Sequence, residues 1–171
     1  MIIVIEEYTE MEEYTENNKK KMAKELALSE ITLRRYEKPY QLDKRELCKK
    51  ICLSLGLLQE GDSRDIIVDI LLVLLEARKV EKFLPLDKIK EKVIQIRKDN
   101  KFELKGIADS NIRRQLKRLR DIMFIEKISN GYRISEFDSL DKIFEEKIER
   151  FFLPNIISRI KEYLQELEKE K

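Results

Sequence analysis

Residues 110–135 read SNIRRQLKRLRDIMFIEKISNGYRIS, and the fold turns on how this stretch divides. On a helical wheel Ile112, Leu116, Leu119 and Met123 fall within one narrow arc. Ser110, Arg113, Arg114, Lys117, Arg118 and Asp121 lie on the other side. Such a helix, capped by Asp109 or Ser110, buries one stripe and leaves its cations in water. The period then changes. Residues 124–128 alternate as a strand does, and residues 132–135 form a return strand. Between them Asn130-Gly131 is a strong hairpin signal, because both positions tolerate positive φ.

Bulk charge decides nothing, since 36 Lys and Arg against 34 Asp and Glu leave a net charge of only +2. The distribution is informative. Residues 1–18 carry Glu6, Glu7, Glu10, Glu12, Glu13 and Glu16 without a cation. Residues 113–120 carry Arg113, Arg114, Lys117, Arg118 and Arg120 without an acid. A solvated face of a charge-rich protein normally interleaves signs at four-residue spacing. The segregation therefore points to a polyanion facing the helix. The composition has no histidine and is rich in Lys, Glu and Ile, as in intracellular proteins of thermophiles. Four glycines and three prolines are too few for a turn-rich all-β chain, so helix dominates.

Upstream, residues 2–5 form a short strand or an arm, and residues 6–18 an acidic helix or loose arm suited to a protein partner. Residues 19–27 make a short amphipathic helix, and Ser29 caps a second helix through Glu37, which Pro39 ends. Asp43 caps a third helix whose inner stripe is Leu47, Ile51, Leu55 and Leu58. Residues 59–63 hold Gly61, Asp62 and Ser63 and mark a boundary. Asp62 or Ser63 then caps a central helix over 64–79, apolar around much of its circumference. An extended Phe83-Leu84-Pro85-Leu86 leads to a helix over 88–97, capped by Asp87, with Ile89, Val93 and Ile96 inward. A charged connection over 98–108 holds a possible short strand at 102–104. Residues 138–170 make a long amphipathic helix broken at Pro154. Ile143, Phe144, Ile148 and Phe151 serve its first half; Leu153, Ile156, Ile157, Ile160, Tyr163, Leu164 and Leu167 serve its second.

The order helix, extended piece, helix, basic helix, hairpin resembles the winged helix-turn-helix superfamily over residues 62–136. The residues that carry the likeness are the basic helix, Phe124-Ile125-Glu126-Lys127 and Gly131-Tyr132-Arg133-Ile134. The resemblance implies a mainly α fold with a small antiparallel β-wing, acting as an archaeal-type transcriptional regulator on double-stranded DNA. Asn111, Arg114, Lys117 and Arg118 would lie nearest base edges or phosphates, with Arg113 beside them. Lys127 and Arg133 would reach out from the wing. The connection over 98–108 is longer than that family's usual turn. A second, shorter likeness covers residues 21–38, which resemble the helix-turn-helix of phage-repressor-type and mercury-resistance-type regulators, with Arg34 and Arg35 outward. An ordinary pair of packed helices reads equally well there. The chain thus divides into an acidic arm (1–18), a helical module (19–61), the winged unit (62–136) and a C-terminal helix (137–171).

The C-terminal helix is either a homodimer seam or a strut folded back on its own domain. The alternative to DNA binding is a non-catalytic interaction module in a transcription, replication or segregation assembly. Catalysis finds no footing, since there is no His, no Gly-rich phosphate loop and no nucleophile beside a base. No cofactor is expected. Cys48 and Cys52 read as two small core residues, since no further Cys or His completes a zinc site. No apolar run is long enough for a membrane span, and the opening MIIVI lacks the basic flank of a secretion signal. A cytoplasmic location is expected.

Overall fold

The computed structural model describes residues 27–169. The readings placed on residues 1–26, which include the acidic arm and the first helix of the amino-terminal module, lie outside the described residues. Every element below belongs to the unit that begins at Ile31. Among the described residues the protein is mainly helical with one small three-stranded antiparallel sheet.

α1 (Lys44–Ser54) opens with a capping box in which Asp43 accepts from the backbone of Glu46 and Glu46 returns the bond. Its buried residues are Cys48, Cys52 and Leu53, whereas Leu47, expected inward, is 38 % exposed. Both cysteines are core residues, and burial pushes their thiols up to about 11 and about 12. α2 (Ile66–Arg78) is the central helix, with every residue from Ile66 to Leu75 buried. It packs against α1, α3, α4 and β3, which explains its near-continuous apolar surface. Residues 59–63, expected as a boundary, are a loop between two helices that share one core.

β1 (Leu84–Pro85) leads into α3 (Leu86–Asp99), which turns Ile89 and Val93 fully inward. The connection to α4 (Asp109–Asp121) contains no strand, contrary to the reading of 102–104. β2 (Ile125–Ile128) and β3 (Gly131–Ile134) form the hairpin, and β1 adds to the far side of β3 in the order β1-β3-β2. Ile128 pairs with Gly131, so the loop residues are Ser129 and Asn130, one position earlier than expected. Ser129 takes the positive φ of 53°. Gly131 serves a different need: a Cβ there would sit 2.9 Å from Cβ of Phe83, so glycine lets β1 close on β3.

A larger correction concerns residues 31–42, which are not helical. The helix expected from Ser29 to Glu37 is absent, and with it the second helix-turn-helix. The backbone N–H of Arg34 donates to Ser54 O at 2.8 Å, and its guanidinium to Leu53 O and Leu58 O at 3.3 Å. Those carbonyls belong to the end of α1 and the turn beyond it, where the helix itself provides no donors. The segment therefore trades its own helical bonds for capping another helix.

α2 has no side-chain cap of its own; Asp65 holds the N-cap position, in place of the expected Asp62 or Ser63. Its carboxylate, with that of Asp69, meets two arginines. Arg45 donates through Nε to Asp69 at 2.9 Å and through Nη2 to Asp65 at 2.8 Å. Arg97, only 3 % exposed, donates to Asp69 and, at 3.1 Å, to Asp65. Burial pushes the Asp65 carboxyl up, but the two guanidiniums outweigh it and hold the group below the usual carboxylate range. Phe102 stacks under both arginines, and Arg97 Nε donates to Glu103 O at 2.7 Å. One buried cluster thus joins α1, α2, α3 and the connection that launches α4.

After β3 the chain passes through a short 3-10 turn (Ser135–Phe137) to α5 (Leu140–Ile143). A π-helical stretch (Phe144–Phe152) follows and then α6 (Leu153–Lys169). The widened winding ends just before Pro154, which has no N–H and crowds the carbonyl a turn behind it. Ile143 and Ile148 are buried, but Phe151, expected inward, is 63 % exposed. α6 buries none of its residues and does not fold back on the core.

Candidate nucleic-acid interface

α4 packs Ile112, Leu116 and Leu119 into the core with no exposed surface, so its rotation is fixed. It ends in a Schellman turn: Phe124 N–H donates to Leu119 O at 3.1 Å and Met123 N–H to Arg120 O at 2.8 Å. Met123 takes the left-handed conformation usual for glycine there, with φ 61°. Ser135 holds this turn in place, donating from Oγ to Met123 O at 2.7 Å. Helix and hairpin are therefore tied at their junction.

Arg113, Lys117 and Arg120, spaced by four and three residues, share one exposed stripe of α4. Arg113 and Arg120 make no hydrogen bond or ion pair among the described residues. Lys117 meets Asp121 at 2.7 Å, but both side chains are more than half exposed, a geometry in which an ion pair is weak and readily exchanged. Arg120 was counted among the helix's cations but not named as a contact residue; its seven-residue spacing from Arg113 was the available signal. Asp109 at the helix start is held below the usual carboxylate range by Lys90, 2.6 Å away.

Other expected contact residues are engaged within the chain. Asn111 gives Nδ2 to Gly106 O at 2.7 Å, and its Oδ1 accepts from Arg114 at 2.8 Å and Gln115 at 3.2 Å. It closes the connection before α4 and orients Arg114. Arg118 is half-buried and donates to Gln115 Oε1 and Gly56 O, each at 3.0 Å. On the hairpin, Arg133 bonds Glu126 at 2.5 Å and packs beside the touching rings of Phe83 and Phe137, 4.9 and 4.6 Å from their centroids. Lys127 is exposed and passes over the Tyr132 ring at 5.9 Å, leaving its ammonium in water. Arg34 caps α1 as described, while Arg35 is exposed and away from any hydrogen bond or ion pair among the described residues. The structure thus brings Arg113, Arg114, Lys117 and Arg118 together on α4 and leaves Arg34 and Arg35 on a separate extended segment.

Among the described residues no group of His, Cys, Asp and Glu is arranged to hold a metal ion, and no helix is long and apolar enough to cross a membrane. Models of known protein families, curated proteins and solved structures were each compared with the chain, and none matches it.

Proposed function

We propose that this chain binds double-stranded DNA as a winged helix-turn-helix regulator, with α4 as the helix that enters the major groove. The observation that carries this reading is the outward stripe of Arg113, Lys117 and Arg120, flanked by Arg114, on a helix whose rotation is fixed by its core face. The element order α2-β1-α3-α4-β2-β3 supports it, as does the exposed Lys127 on the hairpin beside α4. Arg113, Arg114, Lys117 and Arg120 contact bases and phosphates, Lys127 reaches the backbone, and Asn111 and Arg133 hold the apparatus in shape.

The reading includes a homodimer through α6. Ile157, Ile160, Leu164 and Leu167 recur at three and four residues, the spacing of a seam that an identical helix matches. Ile157 is 48 % exposed, Ile160 53 % and Leu164 56 %, so the stripe has no partner within the described chain. Two copies present two α4 helices to successive half-sites. The same exposed stripe favours, as the second reading, a non-catalytic module that docks on another protein through α6. Fluorescence anisotropy on duplex DNA separates the two. The triple variant Arg113→Ala/Lys117→Ala/Arg120→Ala loses DNA binding in the first reading; a wild-type protein that leaves the duplex free at low salt leaves only the second.

A further inference from the structure

A cleft of about 460 Å³ lies between α4 and the turn that joins α1 to α2. Asn111, Arg114, Gln115 and Arg118 line it from α4, and Asp62 and Arg64 from the turn. Three guanidiniums face one carboxylate. Asp62 accepts the Arg64 backbone N–H at 2.8 Å, and no acid forms an ion pair with Arg64, Arg114 or Arg118 among the described residues. The cleft is therefore left with uncompensated positive charge.

Two of the three arginines are already set in place. Arg118 is anchored by Gly56 O and Gln115 Oε1, and Arg114 by Asn111 Oδ1. Each guanidinium has five donors in a fixed fork, so these bonds orient it without using it up. Arg64 is exposed, and its side chain makes no hydrogen bond within the described chain. Half-burial of Arg118 lowers the local dielectric and strengthens its attraction for an anion. Paired guanidinium donors match phosphate oxygens better than a lone ammonium does.

We infer that this cleft is a phosphate-binding site built by Arg64, Arg114 and Arg118, and that it receives a phosphodiester of the DNA backbone beside α4. The source of the phosphate rests on the proposed DNA binding; the phosphate chemistry does not. The volume exceeds one phosphate and leaves room for the attached sugar. Arg64 comes from a turn outside the basic helix, so the site joins two parts of the sequence that no local pattern links.

The test uses the full chain with Arg64→Ala and Arg64→Lys, which disturb no hydrogen bond of that side chain. In anisotropy titrations on a duplex across a salt series, Arg64→Ala should weaken binding and flatten the slope of log K against log salt by about 0.9, the share of one phosphate contact. Arg64→Lys should keep the slope. Duplex binding with the same slope and affinity in Arg64→Ala overturns the site. In parallel, inorganic pyrophosphate is titrated into labelled protein while the arginine Nε–H signals are followed by NMR. Shifts in the wild type that vanish in Arg64→Ala support the site. If those shifts occur but the wild type ignores duplex DNA, the site stands with a phosphorylated small molecule as its ligand and the DNA reading falls. If neither duplex nor pyrophosphate binds, the inference is overturned.

Discussion

Replacing Asp69 by Asn should destabilise the protein by about 3–5 kcal/mol, the usual cost of removing one partner from a buried ion pair. Asp69 is wholly buried, with one carboxylate oxygen accepting from Arg45 Nε and the other from Arg97 Nη1. In the Asp69→Asn variant one of those oxygens becomes an amide donor facing a guanidinium donor, and two cations are left with Asp65 alone. Against a typical total of about 5–15 kcal/mol the loss is large. It corresponds to a fall in Tm of roughly 6–20 °C, at about 2–4 °C per kcal/mol. Urea unfolding followed by far-UV circular dichroism measures it, with an unchanged slope showing that the folded state is intact. The double variant Asp69→Leu/Arg97→Met removes one charge of each sign and keeps the Arg45–Asp65 pair. It should be more stable than Asp69→Asn, because well-packed apolar groups can replace a buried pair at little cost. A cost below about 1 kcal/mol for Asp69→Asn, or a double variant no more stable than the single one, refutes the reasoning.

Two further outcomes are expected. Cys48 and Cys52 should resist iodoacetamide in the folded protein at mildly alkaline pH and react fully in urea, because burial holds both thiols far above their ordinary range; rapid native labelling at either, read by mass spectrometry, contradicts the packing of α1. Ile160→Glu with Leu164→Glu should convert a dimer to a monomer in light scattering with no change in the urea midpoint of the core, since both side chains are exposed; a wild-type protein of monomer mass ends the role given to α6.

The basic helix was legible because its inward stripe, Ile112, Leu116 and Leu119, is a local pattern of helical period, and the hairpin because a turn signal separates two short strands. Both depend on neighbours in sequence. The reading failed where distant groups decide. Ser29 is a good N-cap and residues 29–37 look helical, yet the donors of Arg34 answer the free carbonyls at the end of α1. Asp65 and Asp69 fall within the helix expected over 64–79 with no local sign of a partner, and only the fold sets Arg45 and Arg97 around them. The hairpin loop was placed one residue late because Asn130-Gly131 suggested the turn, whereas Gly131 answers to Phe83 beside β1. At the site, the wheel told which cations face outward. It did not show that Asn111, Arg118 and Arg133 are engaged within the chain, nor that Arg64 stands beside Arg114.

The most direct test of the central claim is the salt dependence of duplex binding by the wild-type chain. Arg113, Lys117, Arg120, Lys127 and the cleft of Arg64, Arg114 and Arg118 together offer about five phosphate contacts per protomer, so log K should fall linearly with log salt at a slope of roughly −4.5 for one protomer on DNA. A steep linear fall in the wild type, with binding lost in Arg113→Ala/Lys117→Ala/Arg120→Ala, is the predicted result. No binding at the lowest salt, or binding indifferent to salt and to those three substitutions, contradicts the account.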